Sequence, residues 1–414
     1  MTIREKVYGE IEKLAEAMTT SLCRIVRFPA ISPHNGGIGE DAKSKEIAAI
    51  MKELNFPEPE WYYCPDEKSP TGNRPSMVVR IPGKSDAERI WFIAHMDIVP
   101  AGDLNAWHTD PFEPVVKDGR IYGRGTQDNG QPIIASMHAA HAIRMAGAVP
   151  AREVCLCYVA DEEMGSEYGI QYLIEQNLFR QGDLVVVPDG GPEVARGDFV
   201  QLAEKGILWM EFSAIGNQVH ASTPQLGVNA CRAANIFSAE LDEVLHSKFT
   251  DTDDLFSPNI STFEPTRRGP NVPSINIVPG IEKFAFDCRL VPSVSTQQVI
   301  DVVEEVRKKV EASTGAKITY ELPQRSDPAP VTSKDSPIVK MVVKAMDEIV
   351  HVKPNYGGMG GGTCAAYLRR LGIPAVGWDQ NTDGTAHQPN EHSRIDFMLN
   401  ETKVFAHLML DEQE

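Results

Sequence analysis

Three apolar runs, each released into an acidic or imidazole-bearing segment, constrain this chain more than any other feature of its sequence. Residues 90–94 run into His95-Met96-Asp97, residues 154–160 into Asp161-Glu162-Glu163, and residues 184–187 towards Asp189-Gly190-Gly191. Short apolar runs bounded by turn formers read as buried strands, and the small, apolar stretch 131–145 between the first two reads as a buried helix. Strand, acidic residue and helix recur at roughly thirty-residue spacing, the signature of an α/β sheet with helices on its faces. Ligands in such folds bind beyond the carboxyl ends of the strands, which is where these residues fall.

The residue types define a chemistry. His95, Asp128, Glu162, Glu163, Asp189 and, far downstream, His387 form the ligand set of a hydrolytic metal centre. Zinc accepts mixed nitrogen and oxygen donors, and two metals sharing one carboxylate activate a water and polarise a carbonyl together. Histidines and acids are also common in loops. What sets these apart is that most of them follow an apolar segment.

Along the rest of the chain, apolar positions at helical spacing predict helices over 3–27 and 40–54, and strands over 77–81 and 90–94. Turn formers between Lys117 and Gly125 predict a hairpin that ends at Asp128. Another strand is expected at 184–187, and a helix over 169–174. Near Gln201 the texture changes. Strands at 206–214, 274–277, 283–290 and 317–322, with helices over 229–246 and 298–312, make a compact α+β module inserted into the first domain. The acidic segment 247–254 reads as an exposed loop. Expected boundaries are 1–203 and 325–414 for the outer domain and 204–324 for the insertion. In the last part a helix is expected over 337–351, a glycine-rich loop at 357–363, a helix over 364–371 and a strand at 374–378. Glycines before a helix attract an anion, but no Gly-Lys-Ser/Thr follows, which argues against a nucleotide loop.

Composition excludes several classes. A formal charge of −18 opposes nucleic-acid phosphates and anionic membranes, and no basic patch appears beyond short runs such as Arg267-Arg268 and the one containing Lys308-Lys309. There is no span of eighteen apolar residues, and the amino terminus runs into a charged helical pattern without an apolar leader. Seven scattered cysteines suit a reducing cytoplasm.

These motifs together carry a resemblance. His95 to Gly102 with Trp107, Asp110-Pro111-Phe112 and Tyr122 to Asp128 resembles the M20 metallopeptidases and deacylases, in the branch of succinyl-diaminopimelate desuccinylase and acetylornithine deacetylase. Asp161-Glu162-Glu163, Gly216 to Ala230, Asn276 to Gly280, Arg289, Gly361-Gly362-Thr363 and His387 with Asn390-Glu391 extend the likeness in the same order. The resemblance implies an α/β zinc-hydrolase catalytic domain, with helices on both faces of a mixed sheet, and an inserted α+β lid used for homodimerisation. It implies two divalent ions per subunit, Zn or Co: His95 and Asp189 on one, Glu163 and His387 on the other, Asp128 bridging. Asp97 would orient His95. Glu162 would be the general base for attack of a metal-bridging water, and His220, reaching over from the partner subunit, would stabilise the oxyanion. Arg289, Asn276, Gly361, Gly362 and Thr363 would bind the substrate carboxylate. His220 could instead be a solvent-exposed or packing histidine, and Arg289 could pair with Asp287.

The implied substrate is an N-acyl amino acid, with N-succinyl-diaminopimelate as one candidate, or a short peptide cleaved as by a dipeptidase or carboxypeptidase. A third reading is an idle metal-binding or structural protein. Asn129-Gly130-Gln131 after Asp128, Ala221 after His220 and Cys364 after Thr363 depart from the common pattern. They leave the metal centre intact and the acyl group open.

Overall fold

The computed structural model describes residues 1–190, 196–249, 254–256, 261–268, 274–381 and 384–411. The chain divides into two compact units, one made of Met1–Leu202, Thr332–Gly357 and Thr363–Glu414, the other of Ala203–Val331 and Gly358–Gly362. The second unit runs past 324, where the insertion was expected to end, because the strand Lys317–Ser326 is longer than the apolar pattern suggested.

The first unit is built on a six-stranded mixed sheet in the order Glu60–Pro65, Asn73–Ile81, Arg152–Val159, Ser85–His95, Leu184–Val186, Ala375–Val376. The first two pairings are antiparallel and the rest parallel. In the parallel core His95 stands beside Val159, and Phe92 beside Val186. Parallel strands in that register end at one edge, so His95, Asp161 and Asp189 leave the sheet on the same side.

Helices cover both faces. On one, Trp91, Cys155, Cys157 and Val185 pack with Leu173, Ala365 and Leu368 from the short helices Tyr172–Glu175 and Cys364–Arg370. On the other, Phe92 meets Phe405 at 5.0 Å between ring centroids, and the Tyr158 hydroxyl donates to the Ile133 carbonyl at 3.1 Å. The helices carrying those partners, Gln131–Met145 and Ile395–Leu410, are almost wholly buried along their apolar sides. Truncating a core aromatic such as Phe92 to Ala costs roughly 3–5 kcal/mol in sites of this kind.

Several elements differ from expectation for local reasons. The helix predicted over 3–27 is two, Ile3–Lys13 and Ala15–Val26, because the Leu14 N–H turns back to the Ile11 carbonyl and ends the first. Instead of a helix over 169–174 there is a wide turn, Glu167–Gln171, before Tyr172–Glu175. Gly169 lies so close to the Ala160 carbonyl that a Cβ would stand 1.8 Å from its oxygen, so only glycine fits. The strand His392–Arg394 and the helix Ile395–Leu410 went unrecognised in the sequence. Among the described residues no helix is long and apolar enough to cross a membrane.

The second unit is a four-stranded antiparallel sheet in the order Thr262–Arg268, Ile281–Leu290, Gly206–Ile215, Lys317–Ser326. The helices Ala230–Lys248 and Thr296–Thr314 pack on it around Phe212, Phe237, Phe284 and Phe286. The strand Thr262–Arg268 escaped sequence reading because Pro265 and charged residues break its alternation. Proline is tolerated there because the strand is at an edge and bulges between Pro265 and Arg267. The strand expected at 274–277 reduces to Ile277–Val278, paired with Val219–His220. Residues 247–248 of the expected loop close the helix Ala230–Lys248, and 250–253 lie outside the described residues.

Candidate metal centre

His95 is the last residue of a central strand and is 2% exposed. Its Nε2 stands 2.8 Å from Asp128 Oδ1 and 4.0 Å from Asp189 Oδ2. The other oxygen of Asp128, Oδ2, is 3.1 Å from His387 Nε2, which in turn lies 3.0 Å from Glu163 Oε1. One carboxylate therefore faces two imidazoles, one through each oxygen. Donor atoms of His95, Glu162 and Asp189 lie within 4.8 Å of one another, as do those of His95, Asp128 and Glu163.

Asp97 meets His95 through two of its oxygens and has a second duty besides. His95 Nδ1 is held mainly by the Asp97 backbone carbonyl at 3.0 Å, with the carboxylate farther off at 3.4 Å. The carboxylate accepts the backbone N–H groups of Glu162 and Glu163, each at 3.0 Å. It thus fixes the turn that presents both glutamates, one of which remains available beside the other. Asn129 also links strand ends: its Oδ1 accepts the His95 N–H at 3.3 Å and its Nδ2 donates to the Pro188 carbonyl at 2.8 Å.

The electrostatics test whether a cation fits. Burial and the nearby Asp189 push the Glu162 carboxyl well above its usual range, and burial and Asp128 do the same for Asp189. Burial pulls on His95 in the neutral direction, but Asp128 and Asp97 outweigh it and hold the imidazole well above its ordinary value. Asp128 and Glu163 raise His387 to about 10. Carboxyls and imidazoles crowded in this way hold protons that a divalent cation would displace, so the donor set fits such an ion.

Sequence reading missed most of the buried charges behind this cluster, and gave Glu391 a place in a motif but no role. Arg74, 0% exposed, joins Glu40 and Asp161, and so braces the turn before Glu162. Lys43, 1% exposed, is pulled down to about 8 by burial, against the opposing pull of Asp97, Glu391, Asp128 and Glu40. Burial and Asp128 raise Asp379 to about 7. Glu391 accepts backbone N–H groups from the Asp128 loop. A lysine, an arginine and acids without regular spacing carry no signal that distinguishes them from surface charges.

Residues 91–411 match the profile of peptidase family M20/M25/M40. The chain belongs to peptidase family M20. It is a metal-dependent hydrolase of mixed α/β fold. An uncharacterized metallohydrolase of Methanocaldococcus jannaschii is 36% identical over 404 residues, covering 93% of this chain and 97% of the relative. Succinyl-diaminopimelate desuccinylase of Nitratiruptor sp. is 26% identical over 310 residues, covering 74% of this chain and 80% of that enzyme. Among solved structures, the di-peptidase Dug1p of Saccharomyces cerevisiae superposes with a TM-score of 0.74 at 15% identity, over 99% of this chain and 98% of that one.

The other expected residues of this M20 protein lie mainly in the second unit. His220 is exposed and stands opposite Ile277 in the two-residue pairing, with the Asn276 carbonyl accepting the Ala221 N–H at 2.8 Å. The Ser222 backbone N–H donates to His220 Nδ1 at 3.1 Å, which leaves the ring proton on Nε2. Asn276 is exposed and bonded to the Ser274 hydroxyl. Arg289 is half-buried and makes two bonds to Asp287, at 2.8 and 3.0 Å. Gly361 and Gly362 belong to the second unit, while Thr363 belongs to the first and caps the helix Cys364–Arg370 by accepting the Ala365 N–H.

Proposed function

We propose that this M20 protein hydrolyses the amide bond of small N-acyl amino acids, N-succinyl-diaminopimelate being one candidate, with two divalent ions, Zn or Co. The observation that carries the reading is Asp128 presenting separate oxygens to His95 and His387. His95 and Asp189 would hold one ion, His387 and Glu163 the other, and Asp128 would bridge. Such ions, when bound, polarise a carbonyl and acidify a coordinated water.

The remaining work falls to side chains of the chain itself. Glu162, made more basic by burial and Asp189, takes the proton of the attacking water and returns it to the leaving amine. Asp97 keeps Glu162 and Glu163 pointing to their separate tasks. His220, with its proton on Nε2, is suited to donate to the oxyanion, acting across a homodimer formed through the inserted lid. Arg289 offers a planar fork to a substrate carboxylate, with Asp287 holding it in plane. Asn276, Gly361, Gly362 and Thr363 would complete that recognition. Seven unpaired cysteines agree with a cytoplasmic setting.

The moderate identity to a desuccinylase supports the acyl amino acid over a peptide. A hydrolysis screen of Zn- or Co-loaded protein against N-succinyl, N-acetyl and N-carbamoyl amino acids and dipeptides tests this. Turnover confined to dipeptides would replace the deacylase reading with a peptidase one, and metal uptake without turnover of any of them would overturn both.

A further inference from the structure

Glu391 is 0% exposed and lies outside the expected ligand set. A single oxygen, Oε1, accepts three backbone N–H groups from one turn: Gly125 at 3.0 Å, Gln127 at 3.0 Å and Asp128 at 3.1 Å. The turn can curl its N–H groups towards one point because Gly125 adopts φ 78, in the left-handed region. The other oxygen of Glu391 takes the Arg124 guanidinium at 2.5 Å, and the Glu391 carbonyl accepts the Gly123 N–H at 2.9 Å. Arg124 is itself 2% exposed and lies over the Trp107 ring at 5.2 Å, so the ion pair is closed to water.

The connection matters because of what each end carries. Glu391 follows His387 by four positions, on a segment that reaches the centre from the far end of the chain. The turn it grips ends at Asp128, the residue that faces both imidazoles. Buried carboxylates satisfied by several donors are costly to disturb, so this clamp has one geometry.

We infer that Glu391 is a positioning residue: it locks the backbone of Asp128 to the segment bearing His387 and so sets the donor spacing on the His387 side of the pair. The inference rests on the two-ion reading above. Asp128 would bridge both ions, but the clamp also carries the His387 segment, so loosening it weakens the ion held by His387 and Glu163 more than the other. The His95 and Asp189 side is braced separately, through Asn129 and the strand ends.

Two variants test it. Glu391→Asp keeps the charge but retracts the acceptor from the three N–H groups; Glu391→Gln keeps the length but turns a donor towards Arg124. Stepwise competition of Co2+ between the whole protein and a chromophoric chelator, followed by the visible Co2+ spectrum, reads the two affinities. The expected result is the ion on the His387 side weakened about 10- to 100-fold and the other by a smaller factor, with lost turnover returning as Co2+ is raised. A variant that folds only with metal is refolded in excess Co2+ and read by release of its ions to the chelator. Two ions held within twofold of the unmodified affinities in either variant would overturn the inference, as would a loss of turnover that excess Co2+ never restores. An unmodified protein that takes up fewer than two ions would instead bring down the two-ion reading, and the inference with it.

Discussion

Two pairs of polar residues, one pair in each unit, are held in opposite ways. In the first, His95 and Asp97 are 2% and 0% exposed, and each is fixed by partners drawn from distant strand ends. In the second, His220 and Asn276 are exposed, and their side chains bond to residues two positions away, Ser222 and Ser274. A centre that must hold charges against one another needs rigid, buried bracing. His220 and Asn276 instead stay at the surface with local support.

The sharpest way to break that contrast is to remove the base. Glu162→Gln should retain two metals while kcat falls by about 10² to 10⁴, the usual scale of general-base catalysis. Near-normal turnover with metals in place would take Glu162 out of the chemistry.

Acid should separate the units next. His138 lies in the buried helix of the first unit, and burial, the main cause, lowers its pKa to about 4. A depressed folded value means that the unfolded chain binds the proton first. The contribution is therefore fully present above about pH 6.5 and is lost as pH falls towards 4, amounting to on the order of 3 kcal/mol. Denaturant titrations of His138→Leu should show a flatter fall between those values, the difference from the unmodified protein isolating this residue. Parallel stability curves for the two proteins would contradict the assignment.

A smaller effect should follow from Asp97→Asn, which weakens its hold on the Glu162 and Glu163 amides. Metal affinity or activity should fall by about 10- to 100-fold, as for other supporting residues around metal ligands. Chelator competition measures it, and an unchanged affinity with unchanged kcat would show that the turn holds without the charge.

The smallest change is expected in the second unit. Arg289→Lys loses the two-bond fork, so KM for a carboxylate-bearing substrate should rise about tenfold, the equivalent of roughly 1.4 kcal/mol, with kcat little altered and metal content unchanged. A fall in kcat at constant KM would place Arg289 in the chemistry and take it out of substrate recognition.

Much of the candidate centre was legible because several of its donor groups follow strand ends. His95, Asp161-Glu162-Glu163 and Asp189 each come directly after, or two residues after, an apolar run, and the parallel register brings those ends to one edge. What was not legible was support without period: Arg74 under Asp161, Lys43 beside the carboxylates of the centre, and the hold of Glu391 on the Asp128 turn, although Glu391 itself stood in a motif. Nor did the edge strand Thr262–Arg268 show, since its proline and charges mask alternation that a one-sided edge does not need.

The order of apolar runs and polar residues by itself determined which groups this chain can offer to a metal, because alternation and strand length depend only on local sequence. Which oxygen of Asp128 faces which imidazole, and that the Asp97 carboxylate beside His95 also accepts the Glu162 and Glu163 amides, only the tertiary structure decided. Those choices depend on distances of a few tenths of an ångström between segments more than 200 residues apart, such as Asp128 and His387, and no local pattern encodes them.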